Sequence, residues 1–325
     1  MSKVIGIDIS KQTFDVSFRV NSKLLHEVFA NNLKGFKKFI KHFDCSSFRI
    51  VMEASGPYYV SLATYLHEHG IKVSVVNPLI IKRFSQMKFY RAKTDKKDAS
   101  IIREYGETEF ASLSLWKPET TGIKSLKQMR TTLELLQKQL RQSKNQLSAF
   151  NSSGLVNKDA EKNLKKVIRT LEKAILNMEE RMLVVCKTYY EESLDLLKSI
   201  PCIGDKTGMM LIAVTDNFTK FKHYKQLIAY IGFAPRIYQS GTSVRGKGHI
   251  CKMGKSQTRK MLYMCSWTAK RYNKTCREMY ERLKAKGKPE RVIKVAIANK
   301  LIKQAFAVVT SKQKYKENYQ PNICF

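Results

Sequence analysis

Apolar residues fall into three successive patterns along this 325-residue chain. Over roughly the first hundred residues, short β-rich runs at 4–9, 14–20 and 24–29 alternate with polar turns, the pattern of an antiparallel meander. Leu33, Phe36, Phe39, Ile40 and Phe43 then recur at helical spacing. A strand at 48–52, a helix near 58–69, a strand at 71–76 and a helix opened by Asn77-Pro78 complete the region.

The middle of the chain changes period. Leu126, Met129, Leu133, Leu136, Leu140, Ser143, Leu147 and Phe150 alternate spacings of three and four. After the polar stretch 151–159 the pattern resumes at Leu164, Ile168, Leu171, Ile175, Met178, Met182 and Val185. Two long helices with narrow apolar seams, joined by a turn, predict a coiled-coil helical hairpin. So narrow a stripe suits association between copies of the chain better than a globular face does. The last region reads as helical at 194–201, 207–214, 224–230, 256–272 and 291–309, with loops between. The first region's order of three strands, helix, strand, helix, strand, helix is that of a ribonuclease-H-like α/β fold. The expected domains are therefore 1–110 (α/β), 111–192 (hairpin) and 193–325 (mostly α).

Charge changes this picture from fold to partner. Sixty Lys and Arg against 27 Asp and Glu leave a net +33, while 43% hydrophobic residues permit real cores. Such an excess repels itself unless a polyanion is the working partner, so nucleic acid leads and an anionic membrane surface trails. Residues 191–325 hold 27 of the basic and 9 of the acidic residues, which puts +18 in the last two fifths. The first residues lack the apolar stretch of a signal peptide, and no window is long and apolar enough to span a membrane. Seven scattered cysteines without a CxxC pair support neither a zinc ribbon nor a disulfide framework. A cytoplasmic protein is expected.

Four acids stand out against that basic background. Asp8 interrupts the apolar strand Val4-Ile5-Gly6-Ile7-Asp8-Ile9, and Glu53 ends the strand Ile50-Val51-Met52. Asp95 and Asp98 share one face of an expected helix start by their i,i+3 spacing. In a ribonuclease-H-like sheet the first and fourth strands are neighbours, so Asp8 and Glu53 can converge with that helix. Four hard oxygen ligands suit Mg²⁺, and paired metals stabilise attacking and leaving oxygens in phosphoryl transfer. The plainer alternatives are a solvent-facing strand acid and an Asp95 that merely caps a helix. Nucleotide chemistry of the actin-like kind is not favoured, because Asp8 is followed by Ile9-Ser10-Lys11-Gln12 and not by a glycine-rich phosphate turn.

Two segments of the last region suit nucleic acid. Ile200-Pro201-Cys202-Ile203-Gly204-Asp205-Lys206-Thr207 resembles a helix-hairpin-helix, whose glycine turn offers backbone N–H groups to a phosphate. This points to Gly204, Lys206 and Thr207. Further on, residues 241–254 contain four glycines, set among the cations Arg236, Arg245, Lys247, Lys252, Lys255 and Arg259. Such a loop can wrap a phosphodiester, with Ser240 or Ser243 as nucleophile.

At these residues the chain resembles the insertion-sequence transposases with a DEDD catalytic motif, which are related to Piv-type DNA invertases. The likeness rests on Gly6-Ile7-Asp8, Met52-Glu53-Ala54-Ser55-Gly56, Lys93-Thr94-Asp95-Lys96-Lys97-Asp98-Ala99, Ile203-Gly204, Tyr238-Gln239-Ser240-Gly241 and the run Lys252-Met253-Gly254 to Arg259. It implies an RuvC-like first domain, a coiled coil and a C-terminal transposase domain. By motif position it makes Asp8, Glu53, Asp95 and Asp98 the metal ligands and Ser240 the nucleophile. It further implies donor and target DNA, a structured bridge RNA as guide, and homo-oligomers from dimer to tetramer in which one subunit's acids can complement another's serine. A bacterial, nucleoid-associated location goes with it. The expected function is RNA-guided DNA recombination. The rivals are a metal-dependent junction resolvase using water, and a non-enzymatic architectural protein.

Overall fold

Alternating apolar residues build a five-stranded sheet from β1 (Val4–Ile9), β2 (Thr13–Val20), β3 (Lys23–Ala30), β4 (Arg49–Glu53) and β5 (Val73–Val76). The computed structural model describes residues 3–20, 23–43, 47–90, 94–154, 156–236, 238–240, 244–245 and 249–317. The strand order is β3-β2-β1-β4-β5, with β1–β2 and β2–β3 antiparallel and β1–β4 and β4–β5 parallel. That is the ribonuclease-H-like arrangement expected from the element order.

The period of two sorts this sheet into two apolar faces. Ile5, Ile7 and Ile9 share one core cluster with Phe14, Val16 and Phe18. Phe36 and Phe39 of α1 (Leu33–His42) and Leu62 and Leu66 of α2 (Tyr59–Glu68) close it. Val4, Val51 and Val76 meet a second layer: Ile81 and Phe84 of α3 (Pro78–Met87) with Ile101 and Ile102 of α4 (Asp95–Thr108).

The chain divides into two compact units, with the boundary between Pro118 and Glu119. The second begins with the hairpin of α5 (Thr121–Ser152) and α6 (Lys158–Lys198). Every predicted seam residue of both helices is buried or half-buried, so the two seams meet each other. The separate helix expected at 194–201 is instead the end of α6, which runs through the expected boundary at 192 with a non-helical residue at Tyr190. The reason is packing: Leu194, Leu196 and Leu197 lie in one core with Ile123 and Leu126 of α5. The root of the hairpin is thus part of the C-terminal unit.

That unit continues with α7 (Asp205–Thr215), α8 (Tyr224–Ile231), α9 (Ser256–Tyr272), α10 (Lys274–Ala285) and α11 (Glu290–Ser311). Helix α11 supplies the centre of the core through the fully buried Ile293, Ile297, Ala298, Leu301 and Ile302. Helix α10 was not expected from its charge-rich sequence. Its start is fixed by the buried Asn273, which accepts from the Cys276 amide and donates to Gln304. Between α8 and α9 lie four two-residue strands: β6 (Pro235–Arg236), β7 (Gln239–Ser240), β8 (Val244–Arg245) and β9 (His249–Ile250). Among the described residues, no helix is long and apolar enough to cross a membrane.

Candidate active site

Parallel pairing of β1 with β4 matches Ile7 to Met52, which makes Asp8 and Glu53 the next residues on neighbouring strands. The two acids share the sheet face covered by α4. That helix can approach because of Gly6. A Cβ there would overlap the Arg103 amide nitrogen and the Ala99 carbonyl oxygen, so backbone lies directly on backbone. The helix start is set by Thr94, whose hydroxyl accepts from the Lys97 amide at 3.2 Å. Thr94 is the N-cap, which frees Asp95 from the plain capping role and leaves it in the first turn with Asp98.

The electrostatics tie the four acids together. The Asp8 carboxyl is pushed up to about 6, first by burial and then by the negative charges of Asp98, Glu53 and Asp95. Glu53 accepts a hydrogen bond of 2.6 Å from the Ser55 hydroxyl. Among the described residues, no Lys or Arg pairs with Asp8, Glu53 or Asp95, although lysines do pair with Glu119, Asp216 and Glu290 in the second unit. The positive N-terminal end of α4 offsets part of the repulsion. As the side chains stand, the described residues contain no ready-made cage of three or more Asp, Glu, His or Cys groups. A donor set of carboxylate oxygens fits a hard divalent cation, whose charge would draw such side chains inward.

Sequence reasoning passed over Asp15 and His26. Asp15 stands directly opposite Asp8 across the antiparallel pair, and it meets the His26 Nε2 at 2.7 Å. Nothing in the local sequence marks Asp15; the β1–β2 register is what puts it beside Asp8.

In the C-terminal unit, Ser240 is the last residue of β7 and pairs with Val244, while Gln239 pairs with Arg245. Arg236 is exposed and pairs with His249. Ser243 and Lys247 lie outside the described residues. Lys252 takes a left-handed φ of 57°, and the Lys255 ammonium lies 5.5 Å from the centre of the Tyr230 ring. Arg259 Nη1 donates to the Ile231 carbonyl at 2.7 Å.

The residues of the helix-hairpin-helix segment do not all face outward. Gly204 precedes α7 with open space around it. Lys206, however, is paired with Glu179 of α6 at 2.7 Å. Thr207 is buried, with its hydroxyl 3.4 Å from the Cys265 sulfur. The first turn of α7 aims one side inward, so the i,i+1 neighbours Lys206 and Thr207 part company. Gly204 and the largely exposed Lys206 stay at the surface, and Thr207 turns inward.

The sequence matches two family descriptions, "Transposase" over residues 5–150 and "Transposase IS116/IS110/IS902 family" over residues 194–281. The pilin gene-inverting proteins of Moraxella lacunata and Moraxella bovis are each 31% identical to it over 325 residues, covering 97% of this chain and 98% of theirs. The insertion element IS110 uncharacterized 43.6 kDa protein of Streptomyces coelicolor is 26% identical over 128 residues, 39% of this chain and 31% of that protein. Among solved structures, T. thermophilus RuvC in complex with Holliday junction substrate aligns with 36% of this chain and 100% of its own. At 11% identity and a TM-score of 0.28, that likeness adds nothing to the strand order.

Proposed function

The chain belongs to the IS116/IS110/IS902 family of transposases and is a DNA transposase or recombinase, and on that premise we propose that it exchanges DNA strands through a serine nucleophile under RNA guidance. The observation that carries the reading is the gathering of Asp8, Glu53, Asp95 and Asp98 at one end of the sheet with, among the described residues, no lysine or arginine paired with the first three.

In this reading the four acids hold Mg²⁺, which when bound supplies positive charge to the non-bridging oxygens of the scissile phosphate. The Ser240 hydroxyl gives up its proton and attacks phosphorus. A phosphoserine ester forms as the bond to the departing sugar oxygen breaks, and that oxygen takes up a proton. One ester replaces another, so a sugar hydroxyl can reverse the step and rejoin strands without ATP. Arg236, Arg245, Lys247, Lys252, Lys255 and Arg259 grip the DNA backbone. The net charge of +33 supports an additional polyanion, a structured bridge RNA, held mainly by shape and phosphates. Beyond Leu126 the seam of α5 is only half-buried, which supports association of hairpins from separate chains into dimers or tetramers.

The test is trapping. Donor and target DNA incubated with Mg²⁺ and the copurifying RNA should give a denaturant-resistant protein–DNA adduct, retained by Ser243→Ala and abolished by Ser240→Ala. A clean nick with no adduct from the unaltered protein would replace this reading with the water-using nuclease. RNA-free protein that recombines at the normal rate would remove the guide.

A further inference from the structure

Beside the root of the Ser240-bearing arm lies a cavity of about 790 Å³, two of whose cations, Lys252 and Arg259, are among those assigned above to the DNA backbone. Its cations are Lys252, Arg259, Lys260 and Arg291. Among the described residues no acid lines it and none of these four forms an ion pair, whereas Lys206, Lys270 and Lys294 of the same unit all do. Four uncompensated cations around one space call for an anion with more than one charge or contact. The rest of the lining is unlike a phosphate track. Phe233, Tyr263, Val292 and Val295 give it an apolar part with two aromatic rings. The volume falls within the roughly 300–1,000 Å³ of sites that enclose a small ligand.

The rim is built, not draped. The Lys252 amide donates to the Gly232 carbonyl at 3.1 Å, and the Cys251 amide to the Ala234 carbonyl at 2.9 Å. Gly254 has a φ of 131°, and a Cβ on it would overlap the Tyr230 carbonyl oxygen; one on Gly232 would overlap that of Met253. The segment carrying Lys252 is therefore locked against the end of α8, and Arg259 is tied to the same end through Ile231. Strands β6 and β9, which flank the arm, begin and end on this framework.

We propose that this cavity takes a single unstacked nucleotide of the bound nucleic acid, its base against Tyr263 and the aliphatic wall and its phosphates on the four cations. An aromatic face with neighbouring cations suits a splayed base of any sequence, and holding one nucleotide here would register the strand against the Ser240 arm. The inference rests on the reading that this unit handles nucleic acid.

Calorimetric titration of the full chain with deoxyadenosine monophosphate and with inorganic phosphate tests it. The nucleotide should bind at least about fivefold more tightly, the low end of what one stacked base contributes. Val292→Trp, at a half-exposed wall position, fills the cavity while keeping every cation, and should erase that ratio without removing phosphate binding. Tyr263→Leu is an independent variant that should reduce it. In a bound oligodeoxynucleotide carrying 2-aminopurine at successive positions, one position should brighten, and Val292→Trp should abolish the signal. Equal affinities, or uniform fluorescence along a bound strand, would mark a simple phosphate track and overturn the inference while leaving the proposed function intact. Failure to bind any oligonucleotide would instead strike at the proposed function.

Discussion

Gly6 of β1 and Arg103 of α4 touch through their backbones, and a Cβ on Gly6 would overlap the Arg103 amide nitrogen. This contact, two residues from Asp8, determines how closely the first turn of α4 can bring Asp95 and Asp98 to the sheet. Gly6→Val should lift the helix at a cost of about 1–3 kcal/mol, the usual scale of overpacking. Thermal melting should record the lost stability. Metal-dependent strand cleavage should fall further than the melting temperature explains, because the carboxylates separate. Unchanged cleavage by the folded variant would uncouple Gly6 from the site.

Asp8→Asn removes the acid whose ionisation the other three oppose. Mg²⁺ or Mn²⁺ should stabilise the unaltered protein by about 2.7 kcal/mol at a hundredfold excess over Kd, and chelation should reverse it. The variant should show no such shift, and its strand cleavage should fall about a hundredfold or more. Equal metal-induced melting shifts in both proteins would place the cation elsewhere.

Leu126 and Leu140 occupy equivalent seam positions but different environments. Leu126 is fully buried at the hairpin root, and Leu140 is half-buried along its length. Leu126→Ala should destabilise by about 2–5 kcal/mol, read from urea unfolding of the whole C-terminal unit. Leu140→Ala should cost well under that in the monomer and show its effect in oligomer dissociation measured by light scattering.

Glu290 opens α11 and accepts hydrogen bonds from Lys270 and Tyr280, with Lys294 also close, which together hold its carboxyl down at about 2. The depressed value makes its contribution present above the ordinary 4.5 and lost as pH falls from there through about 2. Solvent exposure limits its size. Urea midpoints should therefore decline more steeply from pH 5 to pH 3 in the unaltered protein than in Glu290→Gln. Parallel slopes would show the cluster to be energetically silent.

Much of this protein was legible in its sequence because apolar period is a local property. Alternation in 4–9 and the three-four spacing from Leu126 to Phe150 dictate strand and seam wherever the segments finally lie. Asp8 within an apolar strand and the Asp95–Asp98 spacing likewise announced themselves as out of place. What only the tertiary structure decided is which of these residues meet. The β1–β2 register sets Asp15 beside Asp8, and His26 of β3 meets Asp15, relations fixed by pairing between strands and invisible in any one of them. Packing of Leu194, Leu196 and Leu197 on Ile123 and Leu126 joins the hairpin root to the C-terminal core, since buried area depends on partners far away in the chain. The same long-range packing turned Thr207 inward, paired Lys206 with Glu179, and left Lys252, Arg259, Lys260 and Arg291 around one cavity without an acid among its described lining residues. A sequence states which charges exist; neutralisation depends on distance through space, and that is set when the chain folds.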